Sequence, residues 1–134
     1  MKQLSNAQKQ HYLEQGYCKI PGLVSIEWLT ELNQVTAQFV EESRDVSQSN
    51  RRFDLEADHS ASAPRLRRLN SPVDLHETYW RFASEGPFAD IAEDLLGAHV
   101  KFHHSKLNFK WGAAVRRLSG IKTFSFGPTR IMTY

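Results

Sequence analysis

The chain has 134 residues, of which 40% are hydrophobic, and 17 Lys and Arg stand against 15 Asp and Glu for a formal net charge of +2. That composition suits one globular domain, and the near-neutral balance excludes the broad positive field of a dedicated nucleic-acid binder or a protein held on an anionic membrane. The single cysteine, Cys18, excludes an internal disulfide framework or a multi-cysteine zinc site and fits a reducing compartment, so the cytoplasm is the expected location. No signal-peptide core or membrane-spanning apolar run is present in the sequence.

Ser5 and Gln8 form a capping-box pattern that predicts a helix from about Asn6 to Gln15, with Gly16 as its left-handed stop. Tyr17 to Ile20 is short and β-prone, bounded by the Pro21-Gly22 turn, and is expected to be a strand. Ser25 is placed to cap a second helix, in which Trp28, Leu29, Leu32, Val35, Thr36, Phe39 and Val40 recur at steps of three and four and so share a core-facing side. From Glu42 to Ala63 the chain turns polar and loses its period, which predicts a long surface loop with Phe53 and Leu55 as its apolar anchors. Ser71-Pro72 restarts helix, with serine as cap and Val73, His76, Tyr79, Trp80 and Phe82 along it. Another helix is expected from Pro87 to Leu96, closed by Gly97, and Val100 to Trp111 reads as one long strand.

The local chemistry is sparse. A mononuclear non-haem iron site needs two His and a carboxylate on one side of the metal, and none of the six histidines is followed two residues later by an acid. On a strand, adjacent His103 and His104 would point to opposite faces, which argues against joint ligation of one ion. In an extended PRLRRL, Arg65 and Arg67 would share one side, and Leu66 and Arg68 the other. These arginines could clamp a dicarboxylate through their planar forks, or simply pair with Asp54, Glu56 or Asp58 at the surface.

The phrases EQGYCKIPGLVS, FDLEADHSASAPRLRRLNSPVDLHETYW, DIAEDLLG and FHHSKLNFK, in that order, resemble the N-terminal half of phytanoyl-CoA dioxygenase-like proteins. The resemblance implies an α+β fold: a helical N-terminal flank and the first strands of a double-stranded β-helix (jelly-roll), incomplete in this chain. It implies oxidation of an unactivated C–H bond in a small organic acid or acyl substrate, using iron(II), 2-oxoglutarate and oxygen. By the same resemblance Asn108 and His104 fall where related hydroxylases contact 2-oxoglutarate, Lys106 and Lys110 line that region, and Arg68 matches a basic cosubstrate contact. The family's His-x-Asp motif and distal Arg are absent, so the chain is expected to be a catalytically inactive N-terminal fragment.

Residues 1–115 carry the resemblance, and 116–134 do not. If the last base of each codon is joined to the first two of the next, Ser119 to Phe124 permit Trp-His-Gln-Asp-Phe, and Phe126 to Ile131 permit Trp-Pro-His-Thr-Asn. A family-like iron motif is thus expected in a displaced frame, with 116–134 an out-of-frame tail. The alternative function is a small helical protein-interaction module without catalysis. Self-association through an unpaired strand is the one macromolecular contact expected.

Overall fold

The computed structural model describes residues 4–111. Five helices, α1 (Asn6–Gln15), α2 (Ile26–Glu42), α3 (Pro72–Leu75), α4 (Glu77–Ser84) and α5 (Pro87–Leu96), accompany three strands, β1 (Phe53–Leu55), β2 (Leu66–Asn70) and β3 (Lys106–Asn108). The strands form one antiparallel sheet in the order β1-β2-β3, and the elements are α+β. The expected jelly-roll is not decided by these three short strands.

Several elements follow directly from local chemistry. The Ser5 hydroxyl accepts from the Gln8 backbone N–H while Gln8 Oε1 accepts from the Ser5 N–H, so two otherwise orphaned donors at the start of α1 are satisfied. Gly16 ends α1 at φ 80°, a backbone state that costs an L side chain energy. Ser25 caps α2, which buries Leu32, Val35 and Phe39. Thr36 and Tyr79 join α2 to α4 by a 2.8 Å hydroxyl–hydroxyl bond, and burial pushes the Tyr79 phenol above its usual range against the opposing effect of that bond.

The core is built on one face of the sheet. Phe53, Leu69 and Leu107 occupy matched positions across β1, β2 and β3, and all three are buried with Leu32, Val35 and Phe39 of α2 and Tyr79 and Phe82 of α4. Leu66 is also fully buried although it lies only three residues from Leu69. Strict alternation would place them on opposite faces, and a bulge resolves this: Asp54 pairs with Arg68 but Leu55 pairs with Leu66, so Arg67 is the extra residue. The expected sharing of one side by Leu66 and Arg68 is thereby overturned.

Other expectations are corrected. Tyr17 to Ile20 forms no strand, and among the described residues none of the three strands lies beside it to accept a ladder. The expected loop from Glu42 to Ala63 contains a 3-10 turn, Ser43–Asp45, and strand β1. It is fastened by His59, whose Nε2 lies 3.0 Å from the Ser43 carbonyl oxygen and whose Nδ1 accepts from the Arg65 N–H at 2.8 Å. The helix beginning at Pro72 is broken at His76, which becomes extended and caps α4 by accepting from the Thr78 N–H through Nδ1. Ser71 does not cap α3 with its side chain. Its backbone is left-handed (φ 47°), and the buried Ser105 hydroxyl accepts from the Val73 N–H instead. The strand expected from Val100 to Trp111 is limited to Lys106–Asn108, where β2 supplies partners. The tail 116–134 lies outside the described residues. Among those described, no helix is long and apolar enough to cross a membrane.

Two features yield measurable consequences. A Cβ placed on Gly86, between α4 and α5, would sit 2.2 Å from the Phe82 carbonyl oxygen, a backbone atom that cannot swing aside. Gly86→Ala is therefore expected to lower stability by about 1–3 kcal/mol in urea unfolding, the usual range for overpacking, and an unchanged midpoint would contradict this packing. The second feature is Asp94 of α5, which takes the Lys9 ammonium at 2.5 Å and the Leu4 N–H at 2.8 Å. The Lys9 hydrogen bond first, then that of Leu4, hold its carboxyl below the ordinary value. A depressed native value means stability that is present above the unfolded titration, at about pH 3.9, and lost as pH falls through the lower native value. Amide exchange in α1 should accelerate selectively over that acid window, and Asp94→Asn should abolish the selectivity.

Candidate functional site

With Phe53, Leu69 and Leu107 turned into the core, the residues beside them are placed on the opposite face. Asp54, Arg68 and Asn108 form a matched row across the three strands, and Asn70 pairs in register with Lys106. Arg68 donates from Nε to Asn108 Oδ1 at 3.0 Å and its NH1 lies 3.3 Å from Asp54 Oδ2. Asn70 Nδ2 donates to the other Asp54 oxygen at 3.4 Å. Arg68 and Asp54 are each about a third exposed (side chains 32%), so the pair is anchored yet accessible to a solute.

This arrangement is suited to a carboxylate or a similar anion. Asn108 uses its carbonyl oxygen on Arg68, which leaves its two amide N–H groups to donate outward. Arg68 fixes its fork through Nε and NH1 and keeps further N–H donors. Lys106 shares the strand face of Asn108, since the intervening Leu107 is buried and its neighbours are exposed. Two cations against the single carboxylate of Asp54 leave this face with a net positive charge.

The five residues expected at a cosubstrate site are distributed unevenly. Arg68 and Asn108 are in direct contact, and Lys106 lies on the same face. Lys110 lies past the end of β3 and is exposed. His104 precedes β3 and its ring meets His103, with ring centroids 4.7 Å apart and the two Nδ1 atoms in contact. The expectation that these two rings point to opposite faces fails because neither residue is within the strand. The surface pairing considered for the arginines is also present, as Arg65 with Asp58 at 3.2 Å and Arg68 with Asp54. Asn70 was missed by sequence reasoning. Its signal was available, two residues beyond Arg68 on an extended segment, once the bulge at Arg67 is allowed for.

Among the described residues, no group of three or more His, Cys, Asp or Glu could hold a metal ion. The N–H donors of Arg68 and Asn108 and the ammonium of Lys106 suit an anion. The chain is similar to a protein of Stutzerimonas stutzeri described as a probable alpha-ketoglutarate-dependent hypophosphite dioxygenase, at 25% identity over 103 residues. The match covers 77% of this chain and 36% of that relative, so the chain spans little more than a third of the relative's length. No protein-family model and no solved structure matches. The similarity supports a relationship to the 2-oxoglutarate-dependent oxygenases; it does not single out the phytanoyl-CoA dioxygenase family within them.

Proposed function

We propose that residues 4–111 are the N-terminal flank and first strands of a 2-oxoglutarate-dependent oxygenase of the phytanoyl-CoA dioxygenase type, with the polar sheet face as part of its cosubstrate wall. The observation that carries this reading is the Arg68–Asn108 hydrogen bond on the face opposite the core. Two residues 40 positions apart, both expected at a cosubstrate site, are joined there with donors to spare. The relative's alpha-ketoglutarate dependence adds independent support. When bound in such enzymes, 2-oxoglutarate and iron supply the oxidising chemistry. The contribution of this chain is to bind and orient the cosubstrate carboxylate through Arg68, Asn108 and Lys106.

In this reading the iron ligands belong outside the described residues, in the displaced frame after about Val115. No iron-dependent step is assigned to the side chains described. Purified chain supplied with iron(II) and 2-oxoglutarate is expected to form no succinate, and stoichiometric turnover would sink the fragment reading. The outer edge of β3 is a route to self-association in such a fragment, detectable as concentration-dependent sedimentation.

Cosubstrate binding is testable without turnover. Titration of the labelled chain with 2-oxoglutarate should shift the amides of Arg68 and Asn108 and the Asn108 side-chain amide. Arg68→Ala should weaken binding about tenfold or more, in line with a charge-assisted hydrogen bond worth about 1.5–3 kcal/mol. Asp54→Asn should strengthen it, because it removes the carboxylate that competes for the guanidinium. Shifts centred elsewhere, or an Arg68→Ala protein that binds as the parent does, would overturn the assignment. Hypophosphite, the substrate named for the relative, serves in a parallel titration to ask whether this face accepts small oxyanions in general.

A further inference from the structure

The segment before β3 is held at both ends. Phe102 packs edge-on against Trp80 of α4, with ring centroids 5.6 Å apart, and Ser105 is buried, accepting the Ser71 N–H at its carbonyl and the Val73 N–H at its hydroxyl. Between these anchors stand His103 and His104, both exposed, their rings inclined at 73° and their Nδ1 atoms directed at each other. Two neutral imidazoles cannot bring two Nδ1 lone pairs together without something positive between them. One proton, carried as an N–H donor by either ring, accounts for the contact. A transition-metal ion can take the proton's place, with the rings opening until each nitrogen lies about 2.0–2.1 Å from it.

We propose that His103 and His104 form a surface site for an imidazole-preferring first-row transition ion, bound through the two Nδ1 atoms. The class of ion follows from the ligands. Imidazole suits copper, nickel and zinc, whereas an oxygen-seeking ion such as magnesium or calcium finds no carboxylate in the pair. Both ligands come from consecutive residues whose flanks are already fixed by Trp80 and Ser105, so little backbone freedom is lost on binding. Water completes the coordination, since the rings are exposed on the solvent side. The proposal uses neither Arg68 nor Asn108 and stands whether or not the oxygenase reading holds.

The test uses the untagged chain and Ni(II) alone, because nickel does not oxidise Cys18 as copper does. Calorimetry should give one ion per chain, with affinity falling on the order of tenfold or more in both His103→Ala and His104→Ala. His11→Ala and His99→Ala, at two other exposed histidines, should bind as the parent does. In the parent protein, paramagnetic broadening should centre on residues 102–105, which locates the ion without depending on any variant being folded. Binding that survives either His103→Ala or His104→Ala, broadening centred on another histidine, or no saturable binding would each overturn the proposal and leave the pair as a hydrogen-bonded one only.

Discussion

Burial of the Phe53–Leu69–Leu107 row is the constraint on which the rest of the structure depends. A three-stranded sheet with strands this short has little stability of its own, and its apolar face must be covered by α2 and α4. Once that face is covered, the two-residue period of each strand leaves no choice for the neighbouring positions. Asp54, Arg68 and Asn108 must stand together on the other side. The polar site is thus a by-product of core registry, and its precision is that of the core.

The bulge at Arg67 reconciles two demands on β2. Leu66 and Leu69 are both needed in the core, yet three residues separate them, and an unbroken strand would turn one outward. Inserting Arg67 as an unpaired residue lets both leucines point inward while Arg68 keeps its place opposite Asp54 and Asn108. Were the strand unbroken, with Arg67 kept in the ladder, either Leu66 would be solvated or Arg68 would be driven into the apolar layer. The bulge is fastened by the segment that follows β3, through the Phe109 N–H on the Arg67 carbonyl and the Trp111 indole N–H on the Leu66 carbonyl at 2.5 Å.

What could be read from the sequence depended on how local the cause was. The capping box of α1, the Ser25 cap and apolar face of α2, and the Pro87 to Gly97 limits of α5 rest on contacts within a few residues and are present as expected, except that Leu29, expected on the core-facing side of α2, is exposed. Strands fared worse because their partners are distant. Tyr17–Ile20 has β-prone residues but pairs with none of the three strands among the described residues, while Phe53–Leu55 reads as loop and is a strand because β2 lies beside it. His59 and His76 show the same limit at single residues. Each spends ring nitrogens on backbone groups, His59 bridging Ser43 and Arg65 and His76 capping α4, and neither role has a sequence signature. Arg68 and Asn108 were reachable only through a family resemblance, since nothing within 40 residues of chain links them.

The two edges of the sheet are not equivalent, and this bears on how the proposed oxygenase would extend. The outer edge of β1 is closed by its own approach: Asn50 Oδ1 accepts from the Phe53 N–H, the Phe53 carbonyl accepts from the Asn50 N–H, and Ser49 Oγ accepts from the Leu55 N–H. A further strand could not add there without breaking those bonds. On β3, the Ser105 carbonyl and the Phe109 N–H turn toward β2, so the backbone groups of Lys106 and Asn108 turn away from it. Among the described residues no strand lies on that side. The edge open to a further strand is therefore that of β3. Because Asn108 belongs to that open strand, a strand added at this edge would set its next outward side chain beside Asn108, enlarging the polar row instead of burying it.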